Sequence, residues 1–151
     1  MENNSLFNKV LRYISIRPRS EKEISSYIKE KLYKKKSPEE IEGATLKIIK
    51  TLVDLNLIND ENFARSFIEW RLISSNPKGF RIIKSELFVK GVNKDLVEEL
   101  LEDAEYKDME KEAVKRVISK KSKSYKDKRV LKNYLLSRGF SYNSLETALE
   151  D

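Results

Sequence analysis

The sequence predicts an all-α protein made of three tandem three-helix repeats, helix-turn-helix-like units stacked into an elongated, curved array. Three observations carry this expectation. Apolar residues recur three and four positions apart along nearly the whole 151-residue chain, while glycine (4) and proline (3) are scarce, the pattern of amphipathic helices rather than strands. Part of the chain also repeats itself. Arg81-Ile82-Ile83-Lys84-Ser85-Glu86-Leu87-Phe88-Val89-Lys90-Gly91-Val92 lies over Arg129-Val130-Leu131-Lys132-Asn133-Tyr134-Leu135-Leu136-Ser137-Arg138-Gly139-Phe140 at an offset of 48 (129 − 81), with Arg, Lys, Leu and Gly coinciding. Finally, 39% of residues are hydrophobic and 37% charged, too polar for one thick core. Thin helical layers that bury their faces against neighbouring units fit that balance.

The first repeat is expected over residues 1–58. Leu6, Val10, Tyr13 and Ile14 share one face of a short helix that Arg17-Pro18 closes. Ser20-Glu21-Lys22-Glu23 is a capping box opening a second helix, with Ile24, Ile28 and Leu32 on its inner face. Ser37-Pro38-Glu39-Glu40 combines an N-cap serine, a proline at the first helical position and a glutamate three residues after the cap. It opens a long helix whose buried stripe reads Ile41, Thr45, Ile48, Leu52 and Leu55.

The second repeat is expected over 59–104. Asp60 is placed to cap its first helix, where a carboxylate suits the positive helix terminus. Phe63, Phe67 and Trp70 follow at i, i+4 and i+7 and read as core packing that holds the unit together. Asn76-Pro77-Lys78-Gly79 breaks the chain. Gly91 is expected in the left-handed conformation at a helix end, and Asn93 as the cap of the next helix, which carries Val97, Leu100 and Leu101. The third repeat, over 105–151, places Gly139 like Gly91 and Asn143 like Asn93.

With neither cysteine nor histidine in the chain, disulfides, thiolate nucleophiles, Cys/His zinc sites and histidine bases are excluded. Glu98, Glu99, Glu102 and Asp103 read as a solvated acidic face, with no converging ligands for a metal. There is no Gly-rich phosphate loop. The residues therefore point to no catalytic role, no metal and no cofactor. No apolar run is long enough to span a membrane, and the first residues do not read as a signal peptide, so a cytoplasmic protein is expected.

The net charge of +6 is unevenly spread. There are 12 basic and 8 acidic residues up to position 58, 7 and 9 over 59–103, and 12 and 8 thereafter. The extreme is 115–138, with ten Lys/Arg against Asp127 alone, which suits a polyanion or an acidic protein surface. Arg81 with Lys84, and Arg129 with Lys132, are three apart and share helix faces. Arg71, Lys90, Lys126, Lys128 and Arg138 complete the candidate set for contact with a partner protein or DNA. Lys90 and Arg138 have a second reading as cations at helix C-termini.

At this point a family resemblance becomes visible. Leu57-Ile58-Asn59-Asp60-Glu61-Asn62-Phe63-Ala64, with Phe67-Ile68 and Arg71 following, resembles the signature of the RecX family of regulatory proteins. So do Arg81-Ile82 with Glu86-Leu87 and Lys90-Gly91-Val92, and Arg17-Pro18-Arg19-Ser20-Glu21-Lys22-Glu23-Ile24. The resemblance runs from about Leu6 to Leu149 and is strongest in the second repeat. It implies three tandem three-helix repeats and binding to the RecA recombinase filament on single-stranded DNA. It further implies modulation, usually inhibition, of that filament's ATP hydrolysis, strand exchange and co-protease activity, by a monomer that touches DNA weakly or through the filament. A stand-alone basic helical protein that binds nucleic acid is the alternative.

Overall fold

The computed structural model describes residues 2–150, and side chains for 5–149. Among the described residues it is all-helical: α1 Glu2–Ile16, α2 Glu21–Leu32, α3 Pro38–Asp54, α4 Asp60–Ile73, α5 Phe80–Val89, α6 Lys94–Leu101, α7 Ala104–Lys121, α8 Lys128–Ser137 and α9 Tyr142–Glu150. Two compact units form. One comprises Met1–Ala64 with Lys90–Val92, the other Arg65–Val89 with Asn93–Asp151.

In the first unit, Leu6 and Val10 of α1, Ile24, Ile28 and Leu32 of α2, and Ile48, Ile49 and Leu52 of α3 meet in one core with Ile58. Both expected capping boxes are present: Ser20 and Ser37 each accept the N–H of the residue three on, and Glu23 and Glu40 reach back to the cap N–H. Leu55 does not join the stripe. The helix ends at Asp54 and Asn56 turns left-handed (φ 57°), which carries Leu55 outside at 56% exposure.

Asp60 does not cap its own helix. Asn59 does, its side-chain oxygen accepting the Asn62 N–H at 3.1 Å. The Asp60 carboxylate instead accepts the Glu21 N–H at 2.8 Å, a free donor in the first turn of α2. Ser20, fully buried, also donates its hydroxyl to the Lys90 carbonyl at 2.7 Å. Gly91 is left-handed there (φ 84°), and a Cβ on it would lie 2.6 Å from Lys22 Cβ.

The second unit repeats this arrangement at a different place. The N–H groups of Gly79 and Arg81, around the start of α5, donate to the carbonyls of Arg138 and Gly139 at 2.9 and 3.1 Å. Gly139 is left-handed (φ 90°), and a Cβ on it would lie 2.7 Å from Ile82 Cγ1. Its core joins Ala113, Val114 and Val117 of α7, Leu131 and Leu135 of α8, Phe140, and Leu145 and Ala148 of α9. α9 begins two residues earlier than expected: Ser141 precedes it and Asn143 lies inside its first turn.

Candidate interaction surface

The structure separates the candidate cations into those held by the fold and those left open. Arg71 is not an outward residue. On α4 the fully buried positions are Ala64, Ile68 and Leu72, so the buried face is rotated towards that row. Arg71 sits near its centre and Trp70 at its edge. Arg71 pairs with Glu86 of α5 and lies over the Trp70 ring, 4.4 Å from guanidinium carbon to centroid. Phe63 and Phe67 are buried as expected, but Trp70 is 53% exposed and meets Phe67 edge-on. Trp70 is the aromatic member of a cation–π pair with Arg71 at the edge of the buried face and does not fill the core.

Five more candidates have intramolecular partners. Arg81 donates to the Leu136 carbonyl near the end of α8. Arg138 donates to the carbonyls of Asn76 and Pro77 and to the Asn76 side chain, all at 2.9–3.0 Å, and so holds the turn before α5. Lys90 lies 3.7 Å from Glu23. Lys84 binds Glu98 at 2.8 Å, joining α5 to α6. That pair recurs 48 residues on: Lys132 binds Glu146 at 3.3 Å, joining α8 to α9. Lys132 is also 5.8 Å from the Tyr142 ring, which is 64% exposed.

Lys126, Lys128 and Arg129 differ. All three are exposed, and their side chains make no hydrogen bond or ion pair with any described residue. Asp127 between them is occupied as the N-cap of α8, accepting the Arg129 N–H at 2.8 Å. The neighbouring Tyr125 stacks on Tyr134 at 5.3 Å, with Lys121 over the Tyr134 ring.

Two carboxyl groups escaped the sequence reading. Glu110, 1% exposed, lies on the α7 stripe with Tyr106, Ala113, Val114 and Val117. One of its oxygens accepts the N–H groups of Phe80 (2.8 Å) and Ser141 (3.3 Å), and the other accepts the hydroxyls of Ser141 (2.6 Å) and Ser144 (2.7 Å). A polar residue on an otherwise apolar stripe was the signal available for it. Glu23 was recognised only as a capping-box member. It also receives Arg17 at 2.6 Å and lies within 4.0 Å of Arg19. Burial raises its pKa, but the Arg17 and Ser20 hydrogen bonds and the Lys90 charge outweigh that and hold it below the usual carboxylate value. Glu98 is likewise lowered, by its bond to Lys84.

An open cavity of about 450 Å³ is lined by Leu72, Ile73 and Met109 and rimmed by Glu105, Asp108, Glu112 and Arg116. Arg116 is tied to the Leu72 carbonyl. Among the described residues no cluster of carboxylates could hold a metal ion, and no helix is long and apolar enough to cross a membrane.

Comparison with known proteins settles the family. Residues 59–101 match the description "RecX, second three-helix domain". The regulatory protein RecX of Caldanaerobacter subterraneus subsp. tengcongensis is 31% identical over 142 residues, covering 94% of this chain and 68% of the relative. The chain belongs to the RecX family. The regulatory protein RecX of Bacillus subtilis is 31% identical over 149 residues, 95% of this chain but 53% of the relative, so the chain spans about half the length of several of its relatives. The crystal structure of RecX from Lactobacillus salivarius superposes with a TM-score of 0.78 at 29% identity, over 98% of this chain and 94% of that one. The all-helical fold is thus the RecX fold, and the relatives are named regulatory proteins.

Proposed function

We propose that this RecX-family protein binds RecA recombinase filaments on single-stranded DNA and lowers their ATP hydrolysis, strand exchange and co-protease activity. It does so as a cytoplasmic monomer, by binding and without chemistry of its own. Family membership over nearly the whole chain carries this reading. The repeat reading, 1–58, 59–104 and 105–151, supports it: tandem helical units offer several contact faces to a repetitive partner. Of the candidate residues, the open cations Lys126, Lys128 and Arg129 are available for partner contact as the protein stands.

The deciding experiment adds purified protein to the cognate recombinase on single-stranded DNA and follows ATP turnover. Inhibition at substoichiometric protein is expected; unchanged turnover at saturating protein would sink the proposal. The exposed 126–129 segment also favours a second reading, a stand-alone nucleic-acid-binding protein. That reading predicts DNA binding but no effect on the recombinase.

A further inference from the structure

The N-terminal ends of α2, α5 and α8 occupy matching places in the three proposed repeats, and among the described residues only two of them are covered. At α2, Ser20 is buried and donates to the Lys90 carbonyl, with left-handed Gly91 pressed against Lys22. At α5, Gly79 and Arg81 donate to the carbonyls of Arg138 and Gly139, and the Arg81 guanidinium is taken up by the Leu136 carbonyl. At α8 no such turn is present among the described residues. Arg129, the counterpart of Arg81 at the offset of 48 (129 − 81), binds no carbonyl among the described residues and stands exposed with Lys126 and Lys128. The position of Phe80, half-buried at α5, is taken at α8 by exposed Lys128. An end that elsewhere receives a helix C-terminus has become a basic surface.

This surface also carries an aromatic ring. Lys128 and Arg129 are four and three residues before Lys132 and so lie on its side of α8. Lys132 reaches to 5.8 Å from the ring of Tyr142, which stands 64% exposed at the start of α9. Asp127, which caps α8, and Glu146, which pairs with Lys132, are both engaged. The other aromatic pair of the region, Tyr125 on Tyr134, is closed upon itself and packs on the core. Unengaged cations near an exposed aromatic ring are the ingredients of single-strand recognition, where phosphates meet lysine and arginine and a base stacks on the ring. Duplex DNA would satisfy the cations but offers no unstacked base to Tyr142.

We propose that Lys126, Lys128, Arg129 and Tyr142 form a direct binding site for an unpaired nucleic-acid strand, with phosphates on the three cations and a base stacked on Tyr142. This deepens the filament reading by assigning the strand contact to the open end of α8, yet it needs no recombinase to be tested. The full-length protein is titrated against a fluorescent oligo(dT) and against a duplex of equal length, by anisotropy at several salt concentrations. Binding is expected to favour the single strand. Tyr142→Ala should weaken it roughly tenfold and Tyr142→Phe should restore it. The triple variant Lys126→Ala/Lys128→Ala/Arg129→Ala should reduce the log–log salt slope by about 2. All four side chains are exposed, so unchanged circular dichroism and melting separate lost binding from lost fold. Equal affinity for duplex and single strand, or an unchanged Tyr142→Ala, would overturn the stacking site, and binding indifferent to the triple variant would overturn the whole site. Wild-type protein that inhibits the recombinase but does not bind oligo(dT) would refute this inference while leaving the proposed function standing.

Discussion

Glu110 gathers four donors from three residues: Ser141 and Ser144 supply hydroxyls, Ser141 also its N–H, and Phe80 the first N–H of α5. Removing the acceptor leaves these donors buried and unanswered. Glu110→Ala should therefore cost about 2–4 kcal/mol, and Glu110→Gln, which keeps one accepting oxygen, clearly less; urea midpoints measure both. The glycines make a sharper contrast. At Gly139 a side chain meets a positive φ and an Ile82 contact at 2.7 Å, so Gly139→Ala should cost at least about 1–2 kcal/mol. Gly43 lies exposed inside α3 with nothing within 4 Å of a new Cβ, so Gly43→Ala should stabilise by about 0.5–1 kcal/mol. Gly139 could be read in the sequence because a helix end announces its left-handed cap. Glu110 could not, because its partners lie some 30 residues away on either side.

At the scale of elements, local signals were legible and distant ones were not. Ser20, Ser37 and Asn93 cap the helices they precede, since a cap and its N–H groups lie within three residues. Asp60 fell to a longer-range competitor, the Glu21 N–H, 39 residues back. Spacing from Phe63 placed Trp70 inside, but the small Ala64 sets the true centre of the α4 face and leaves Trp70 at its edge. The α2 terminus yields a prediction with a definite sign. Glu23 joins Arg17, Arg19 and Lys90 around the α2 cap, and its folded pKa is depressed. Protonation then favours the unfolded chain. The stabilisation is complete above the unfolded pKa and is lost as pH falls through the folded one. Glu23→Gln should lower the urea midpoint at neutral pH, and the gap to wild type should close in acid. A gap that stayed constant with pH would show that the charge is not what Glu23 contributes.

For the whole molecule, net charge alone is a poor guide to where a polyanion would bind. Of the nine candidate cations, Arg71, Arg81, Lys84, Lys90, Lys132 and Arg138 have partners among the described residues, whereas Lys126, Lys128 and Arg129 have none there. The 48-residue recurrence in the sequence has a counterpart in the contacts: Lys84–Glu98 and Lys132–Glu146 are the same ion pair twice. Which copies are covered depends on the next element along and is not written in any single repeat. Salt should therefore act chiefly through one segment. Replacing Lys126, Lys128 and Arg129 together with alanine removes the three open phosphate contacts and should flatten the salt dependence of DNA binding by about 2 in log–log slope. A recombinase contact made through 59–104 involves none of these residues, so at saturating protein the variant should still lower ATP turnover on preformed filaments. Retained inhibition with lost DNA affinity would place the two contacts on separate surfaces. Loss of both in parallel would mean that the α8 end is where the filament itself is gripped.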